Sequence, residues 1–385
     1  MRRSPIGQVV PISGFDQRTS RGFEHGAFVP DRLPRIVELT PATWTGVTRA
    51  EAALARLDQA SRQVPEPALL RRPALRREAQ STSALEGIFA PFEDVLEPDV
   101  EDRGDLPLEV HEVLNYVVAA KEGFHWAKDR PLTSGLIGQL QRVLVQGTPG
   151  EHTDAGGVRD RQLVVGPRDS PVVEARFVPP PPGDELRAGF EHWIEWVADP
   201  PADLPPVVRA ALGHYQFETL HPFSDGNGRI GRLLIVLQLM RDDVLQEPIL
   251  VVSPWFEARR REYQDGLLKL SQTGRWDDWV RFFATGVAAA ADGTRACIDQ
   301  LITWRDESLT TVREAGVSGV AERLARELIG APVLTASRVA AEHHVSHQGA
   351  MNALRRLSAL GLLREGRRRG RRTFFANRVI ELLGR

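Results

Sequence analysis

The chain has 385 residues, 42% of them hydrophobic and 26% charged, and a formal net charge of −2. Its length exceeds one typical small domain, and so balanced a charge excludes whole-molecule attraction to nucleic acid or membrane, leaving only local basic patches. A single cysteine, Cys297, excludes a disulfide framework and fits a reducing compartment.

In chain order, residues 1–35 are rich in Gly, Pro and Arg and read as an irregular arm. The opening MRRSPIGQVV lacks the apolar core of a signal peptide, and no run approaches the roughly 20 apolar residues of a membrane span. A cytoplasmic location is expected. Apolar periodicity predicts helices at about 45–62 and 67–80, with Pro65 and Pro67 marking the break, and Thr82–Phe89 at the end of the second or on a short one after it. Further helical patterns cover about 106–128, 133–146, 184–198, 206–220, 229–242, 256–272, 276–292 and 295–313. The one hairpin predicted is RQLVVGPRDSPVVEARFV, 161–178, where two β-branched runs flank the turn-forming cluster Gly166–Pro171, and Pro179–Pro182 end it. From about 318 the pattern changes. Short helices at 319–330, 335–343 and 346–360 precede LLREGRRRGRRTFFA, two strand-like runs joined by an arginine-rich turn, the order of a winged helix-turn-helix. The expected fold class is mainly α, a helical bundle with one β-hairpin and a C-terminal winged helix-turn-helix domain.

Chemistry concentrates in HPFSDGNGRIGR, 221–232. Gly226 to Gly231 match GxGxxG, but a dinucleotide fingerprint needs a strand before the first glycine, and 209–220 is a helical pattern. The match is coincidental. The local physics still describes an anion site. Asp225-Gly226-Asn227-Gly228 breaks the chain, and the apolar helix that Arg229 opens presents free N–H groups and partial positive charge at its start. Arg229 and Arg232, three apart, project from nearly one face and suit a polyphosphate. Asp225 is placed to hold a divalent cation shared with those phosphates, and His221 is the group there that takes a proton near neutral pH. The bland alternative is a capped helix, with Asp225 as N-cap and both arginines in solvent. It leaves unexplained why a histidine, a carboxylate and two arginines converge on one helix end.

The twelve residues resemble the core motif of the Fic (Fic/Doc) family, HPFx(D/E)GNGRxxR, at every fixed position. FVPDRLP at 28–34, GGVRDRQLVVG at 156–166 and RRREYQDGLLKL are similar to the family's N-terminal region, the approach to its flap hairpin and the helix after its core; the usual pair of adjacent tyrosines is here Tyr263-Gln264. The resemblance implies three domains: an N-terminal helical region at 1–104, a Fic catalytic domain at 105–315 and the winged helix at 316–385. It also implies a protein adenylyltransferase. His221 would be the general base for a Ser, Thr or Tyr hydroxyl attacking the α-phosphorus of ATP. Asp225 would hold Mg²⁺, and Gly226, Asn227, Gly228, Arg229, Ile230, Gly231 and Arg232 would form the ATP-binding stretch, with Asn227 and two glycine amides on the α-phosphate, Arg229 on the β side and Arg232 on the γ-phosphate. Loose phosphoryl-type transition states need this positioning and charge neutralisation.

Thr82-Ser-Ala-Leu-Glu86-Gly87 matches the family's inhibitory motif (S/T)xxxE(G/N). By that resemblance Glu86 would occupy Arg232 and misalign ATP; a misplacement of about 1 Å costs on the order of 100-fold in rate. The bland alternative is a surface glutamate one turn after a Ser/Thr cap. The same glutamate would serve removal of AMP, so de-AMPylation or transfer of another phosphate-containing group is the nearest rival. A third expectation is a nucleotide-sensing DNA-binding regulator. For that, Arg364, Arg367, Arg368, Arg369, Arg371 and Arg372 crowd nine residues, and Ser346, His347, Gln348 and Asn352 sit near the start of the recognition helix. Such modules also serve as protein-docking or dimerisation units. The expected partners are ATP, a hydroxyl-bearing target protein (this chain included) docked by β-augmentation on the hairpin, and DNA, with no membrane; a homodimer stays open.

Overall fold

The computed structural model describes residues 4–16, 20–62, 66–96, 106–127, 129–166 and 171–384. Pro65, the centre of the expected turn at 167–170 and the expected boundary at 104 lie outside them. Among the described residues no helix is long and apolar enough to cross a membrane. The chain forms two compact units, Met1–Ala55 with Asn115–Gln246 and Val252–Ala289, and Arg56–Leu114 with Glu247–Val251 and Ala290–Arg385.

The first unit begins with a correction. Residues read as an irregular arm form strands β1 (Gly7–Asp16) and β2 (Arg21–Pro30), antiparallel in register from Gly7↔Pro30 to Asp16↔Arg21. Their glycines disguise the strands and are required by them. A Cβ at Gly26 would lie 2.4 Å from Val9 Cγ1, one at Gly7 2.6 Å from the Phe28 ring, and one at Gly14 3.1 Å from the ring of its cross-strand partner Phe23. Aromatic rings covering strand glycines pin the register. The predicted 161–178 hairpin is correspondingly smaller. Among the described residues it pairs only at Val165↔Phe177, and Val172–Glu174 curl into a 3₁₀ turn instead of a strand. The cause is a competing acceptor: the carboxylate of Asp16, 7% exposed, takes the Val172 N–H at 3.0 Å.

Helices α1 (Pro41–Arg62), α2 (Ala68–Leu85), α3 (Phe92–Leu96), α4 (Leu108–Trp126), α5 (Ser134–Val145), α6 (Asp184–Ala198), α7 (Pro206–Leu220), α8 (Asn227–Arg241), α9 (Ser253–Ala258), α10 (Arg260–Thr273) and α11 (Trp276–Glu314) follow. The first unit is built around α8, buried at every position from Asn227 to Met240, as an apolar helix without a polar face must be. Helix α7 lies against it closely enough that a Cβ on Gly231 would meet Glu218 Oε1 at 2.6 Å. Trp193 of α6 and Trp279 of α11 donate their indole N–H groups to the Gly213 and Ala211 carbonyls of α7, at 2.8 Å each. Two predicted helices, 276–292 and 295–313, are one. The intervening Gly293 costs about 1 kcal/mol relative to alanine, too little to stop a 39-residue helix.

In the second unit the end of α11 leads to α12 (Val320–Glu327), strand β3 (Val333–Leu334), α13 (Ala336–Glu342), α14 (His347–Ala359), strands β4 (Arg364–Arg368) and β5 (Arg371–Phe375), and α15 (Asn377–Gly384). The three strands form an antiparallel sheet in the order β3-β5-β4. Thr335 and Ser346 cap α13 and α14, their hydroxyls accepting from the Arg338 and Gly349 N–H groups.

Candidate active site

Helix α7 ends at Leu220, and His221 caps it in the left-handed conformation, φ 51° and ψ 57°. Its N–H donates to the Phe217 carbonyl at 3.0 Å, and its Nδ1 lies 3.1 Å from the Glu218 carbonyl. A carbonyl only accepts, so Nδ1 carries the ring proton and Nε2 keeps its lone pair.

The loop from Pro222 to Gly226 is braced from within the motif and from outside it. The Phe223 N–H donates to Asn227 Oδ1 at 2.9 Å, and Asn227 Nδ2 donates back to the Phe223 carbonyl at 2.7 Å. Asn227 is 2% exposed, so its first task is to brace the loop. The ring of Phe223 packs on Phe190 and Phe217, fixing the loop to the core. Gly226, φ 82°, precedes α8 without any side-chain cap, a position that only glycine takes at little cost. Its N–H donates to Asp225 Oδ1 at 2.5 Å, and its carbonyl accepts from Ile230 at 2.9 Å.

Both arginines of the motif are 1% exposed. The capped-helix alternative, with arginines in solvent, is therefore excluded. Arg229 donates to Asp225 Oδ1 at 3.4 Å, while the Asp225 side chain stays 43% exposed. Gly228, Ile230 and Gly231 are buried along α8. Guanidiniums this deep are tolerated only beside negative charge or several acceptors. Tyr263, the tyrosine kept where the family usually has two, is a core residue, 4% exposed and bonded to His214.

Four residues that the sequence did not single out hold this loop. Arg159, 1% exposed, donates from Nε to the His221 carbonyl at 2.8 Å, and its N–H donates to the Pro222 carbonyl at 2.9 Å. Gln141 of α5 donates to the Asp225 carbonyl at 3.0 Å and accepts the Gly156 N–H at 2.6 Å. Ser224 donates to Asp154 at 2.6 Å. Burial lowers the Arg159 pKa to about 10, with Asp154 acting against the shift, and the group stays a cation at neutral pH.

In the second unit, Thr82 is buried in the last turn of α2, while Glu86 and Gly87 follow its end and are exposed. Gly87, φ 85°, donates to the Ala84 carbonyl and Ile88 to that of Ser83, both at 3.0 Å. This is a Schellman cap with Glu86 at the C-cap. It gives the last position of (S/T)xxxE(G/N) a physical reason, since Gly and Asn are the residues that accept left-handed backbone. In the same unit Arg368 pairs with Asp94 of α3, Arg369 lies 3.4 Å from that carboxylate, and Arg372 pairs with Glu365 at 2.7 Å. Ser346, His347, Gln348 and Asn352 are exposed, with Gln348 Nε2 donating to Asn352 Oδ1 at 2.9 Å.

Comparison with known proteins matches two regions of the chain to one family. Residues 131–239 match the Fic/DOC family, and residues 44–125 match the Fic/DOC family N-terminal region. Through these two regions the chain belongs to the Fic/DOC family. It is 37% identical over 133 residues to the protein adenylyltransferase Fic of Drosophila virilis, covering 34% of this chain and 24% of that protein. To the protein of that name from Drosophila grimshawi it is 39% identical over 119 residues, 30% of this chain and 23% of the other. The chain thus spans about a quarter of the curated relatives it matches. The fold is similar to a crystal structure of a Fic family protein from Desulfovibrio desulfuricans G20, with TM-score 0.56 and 19% identity over 88% of this chain and 97% of that one. It is also similar to Fic-1 (aa134–508) from C. elegans, with TM-score 0.51 and 20% identity over 68% and 74% of the two chains.

Proposed function

We propose that this protein transfers AMP from ATP to a hydroxyl side chain of a protein. The observation that carries the proposal is the pair of guanidiniums, Arg229 and Arg232, each 1% exposed and three residues apart near the start of a buried helix. A triphosphate matches them in charge and in number of acceptor oxygens. The acceptor hydroxyl, of Ser, Thr or Tyr, gives its proton to Nε2 of His221 as its oxygen bonds to the α-phosphorus. The bond from that phosphorus to the bridging oxygen breaks, and pyrophosphate leaves with the electron pair. The Glu218 carbonyl, accepting from Nδ1–H, orients the imidazole and steadies the imidazolium that forms.

The residues present fit a divalent cation shared with the substrate. Among the described residues no group of three or more metal-binding side chains exists, but the partly exposed carboxylate of Asp225 suits a Mg²⁺ that takes its other oxygens from phosphate and water. Such an ion would neutralise charge between the phosphates. Glu86 is the proposed brake. For residues 346–372, eight arginines against the single acid Glu365 favour a second, separate role, a winged helix that contacts the phosphates of DNA.

Incubation of the full chain with Mg²⁺ and either α-³²P-ATP or γ-³²P-ATP tests the reaction. Label on protein from the α-labelled nucleotide alone is expected. Label from the γ position, or none from either, would remove the AMP-transfer proposal.

A further inference from the structure

We propose that Arg159 is a positioning residue that joins the base histidine and the 161–180 segment through one guanidinium. This rests on the AMP-transfer proposal above. Three carbonyls converge on its fork, one from two residues ahead and two from farther along the chain: Arg161 on Nη1 at 2.8 Å, Pro180 on Nη2 at 2.6 Å and His221 on Nε at 2.8 Å. The Arg159 backbone adds a fourth tie, its N–H donating to the Pro222 carbonyl at 2.9 Å.

The positions of these carbonyls give the cluster its meaning. Arg161 and Pro180 stand on either side of the Val165↔Phe177 bridge, so the guanidinium closes the base of that segment from both ends. Its third bond fixes the carbonyl of a histidine whose left-handed backbone, φ 51°, is one that side-chain-bearing residues adopt only when surroundings impose it. A planar fork donates in three fixed directions, and a charged donor makes stronger bonds to carbonyls than a neutral one. A lysine ammonium at the same place is a point donor that reaches fewer of these carbonyls.

Residues beside the bridge are tied outward as well as inward. Phe28 of β2 donates to the Val178 carbonyl at 2.9 Å, and Asp16 holds Val172. The segment is thus braced by the N-terminal hairpin and registered to His221 by Arg159. If a target chain lies along this segment, Arg159 sets the distance between its hydroxyl and Nε2, a distance on which general-base catalysis depends steeply. ATP is held elsewhere, by the loop amides, Arg229 and Arg232, so loss of Arg159 should separate rate from nucleotide affinity.

The test is self-labelling by the full chain and by its Glu86→Gly form, each with Arg159→Lys and Arg159→Ala. At saturating ATP the rate should fall ~100-fold in Arg159→Lys, with ATP affinity within a few-fold of the parent. The acid limb of the pH–rate profile should stay in place, since His221 remains the base. Millimolar guanidinium should recover part of the rate in Arg159→Ala but not in Arg159→Lys, where the cavity is filled. Amide exchange at 157–163 and 219–225 should rise together in Arg159→Lys. A folded Arg159→Lys protein that labels at the parental rate would overturn this inference alone, as would parallel loss of rate and ATP binding. Parents that never label would remove the reaction and the inference together.

Discussion

The Tyr263 phenol donates to Nε2 of His214 across 2.7 Å, and with the Gly231 carbonyl 3.1 Å from Nδ1 this settles which nitrogen carries the proton. The carbonyl can only accept, so His214 is the neutral Nδ1–H form, and Tyr263 must be its donor. Burial first, and the positive charge of Arg232 second, hold its pKa down to about 3, against a weaker opposing effect of the bond to Gly231. The Glu218 carboxylate, 4.0 Å from Nε2, is the acidic group that faces it. In the unfolded chain the same imidazole titrates near 6.5. Between those values the unfolded state binds a proton that the folded state refuses. Stability therefore rises with pH across this window and is lost as pH falls below ~6.5, by up to ~1.4 kcal/mol per unit from this group. Urea midpoints measured from neutral to mildly acid pH should show a shallower acid slope in His214→Gln, despite its lower absolute stability. Equal slopes in the two proteins would refute the assignment.

His221 is expected to matter to rate and not to nucleotide binding. His221→Ala should abolish transfer of the α-labelled group while ATP affinity stays within a few-fold, because Arg229, Arg232 and the α8 amides are left in place. Loss of ATP binding together with the fold would mean that His221 serves as the cap of α7 and no more.

Gly150 offers a way to move Asp225 without replacing it. A Cβ there would lie 2.1 Å from Asp225 Oδ2 and 2.8 Å from its Cγ, so the carboxylate must shift. Gly150→Ala should raise the Mg²⁺ concentration needed for half-maximal labelling severalfold, with a smaller change in rate at saturating Mg²⁺. An unchanged Mg²⁺ dependence in a folded variant would count against Asp225 as the metal ligand.

What the sequence disclosed follows from the range of the forces involved. The limits of α6 and α7, 184–198 and 206–220, are legible because apolar periodicity and the prolines at 205 and 206 are local signals. The twelve-residue motif is legible for the same reason, since Phe223 and Asn227 bond each other across four positions. Arg159 is not. Two of the three carbonyls on its guanidinium lie 62 and 21 residues away, and every residue type possesses a backbone carbonyl, so no pattern marks them. The burial of Arg229 and Arg232 was equally hidden, because charge suggests solvent until packing is known. Strands β1 and β2 were missed because their glycines signal flexibility alone, and the rings that cover them are cross-strand neighbours.

The C-terminal arginines divide into two sets. Arg368 and Arg369 are engaged by Asp94, with side chains 16% and 30% exposed, whereas Arg367 and Arg371 are exposed on the same hairpin. If the hairpin contacts DNA phosphates, Arg367→Gln with Arg371→Gln should lower affinity and flatten the salt dependence by about two counterions. Asp94→Asn should act the other way, loosening the hold on two guanidiniums and steepening it. A fluorescence-anisotropy titration at several salt concentrations decides this, and no retention at low salt in any form would take DNA off the partner list.

The brake makes the sharpest prediction, because charge and cap can be separated at Glu86. Gly87, not Glu86, supplies the left-handed residue that ends α2, and the two capping bonds come from the Gly87 and Ile88 N–H groups. Replacing the Glu86 side chain therefore leaves the Schellman geometry intact. The proposal is that its carboxylate competes with the ATP γ-phosphate for Arg232, a buried guanidinium that does not tolerate loss of all negative partners. Glu86→Gly should raise the initial rate of self-labelling at saturating ATP, by ~10-fold if the competing ion pair is worth ~1.4 kcal/mol. Glu86→Gln keeps the size and removes the charge, so it should give most of the same gain if charge is the cause and little if bulk is. Adding Arg232→Ala to Glu86→Gly should cancel the gain, since the partner that was freed is gone. Measured side by side, a well-folded Glu86→Gly protein no faster than the parent would rule the brake out, and a gain that survives Arg232→Ala would assign the brake to another partner.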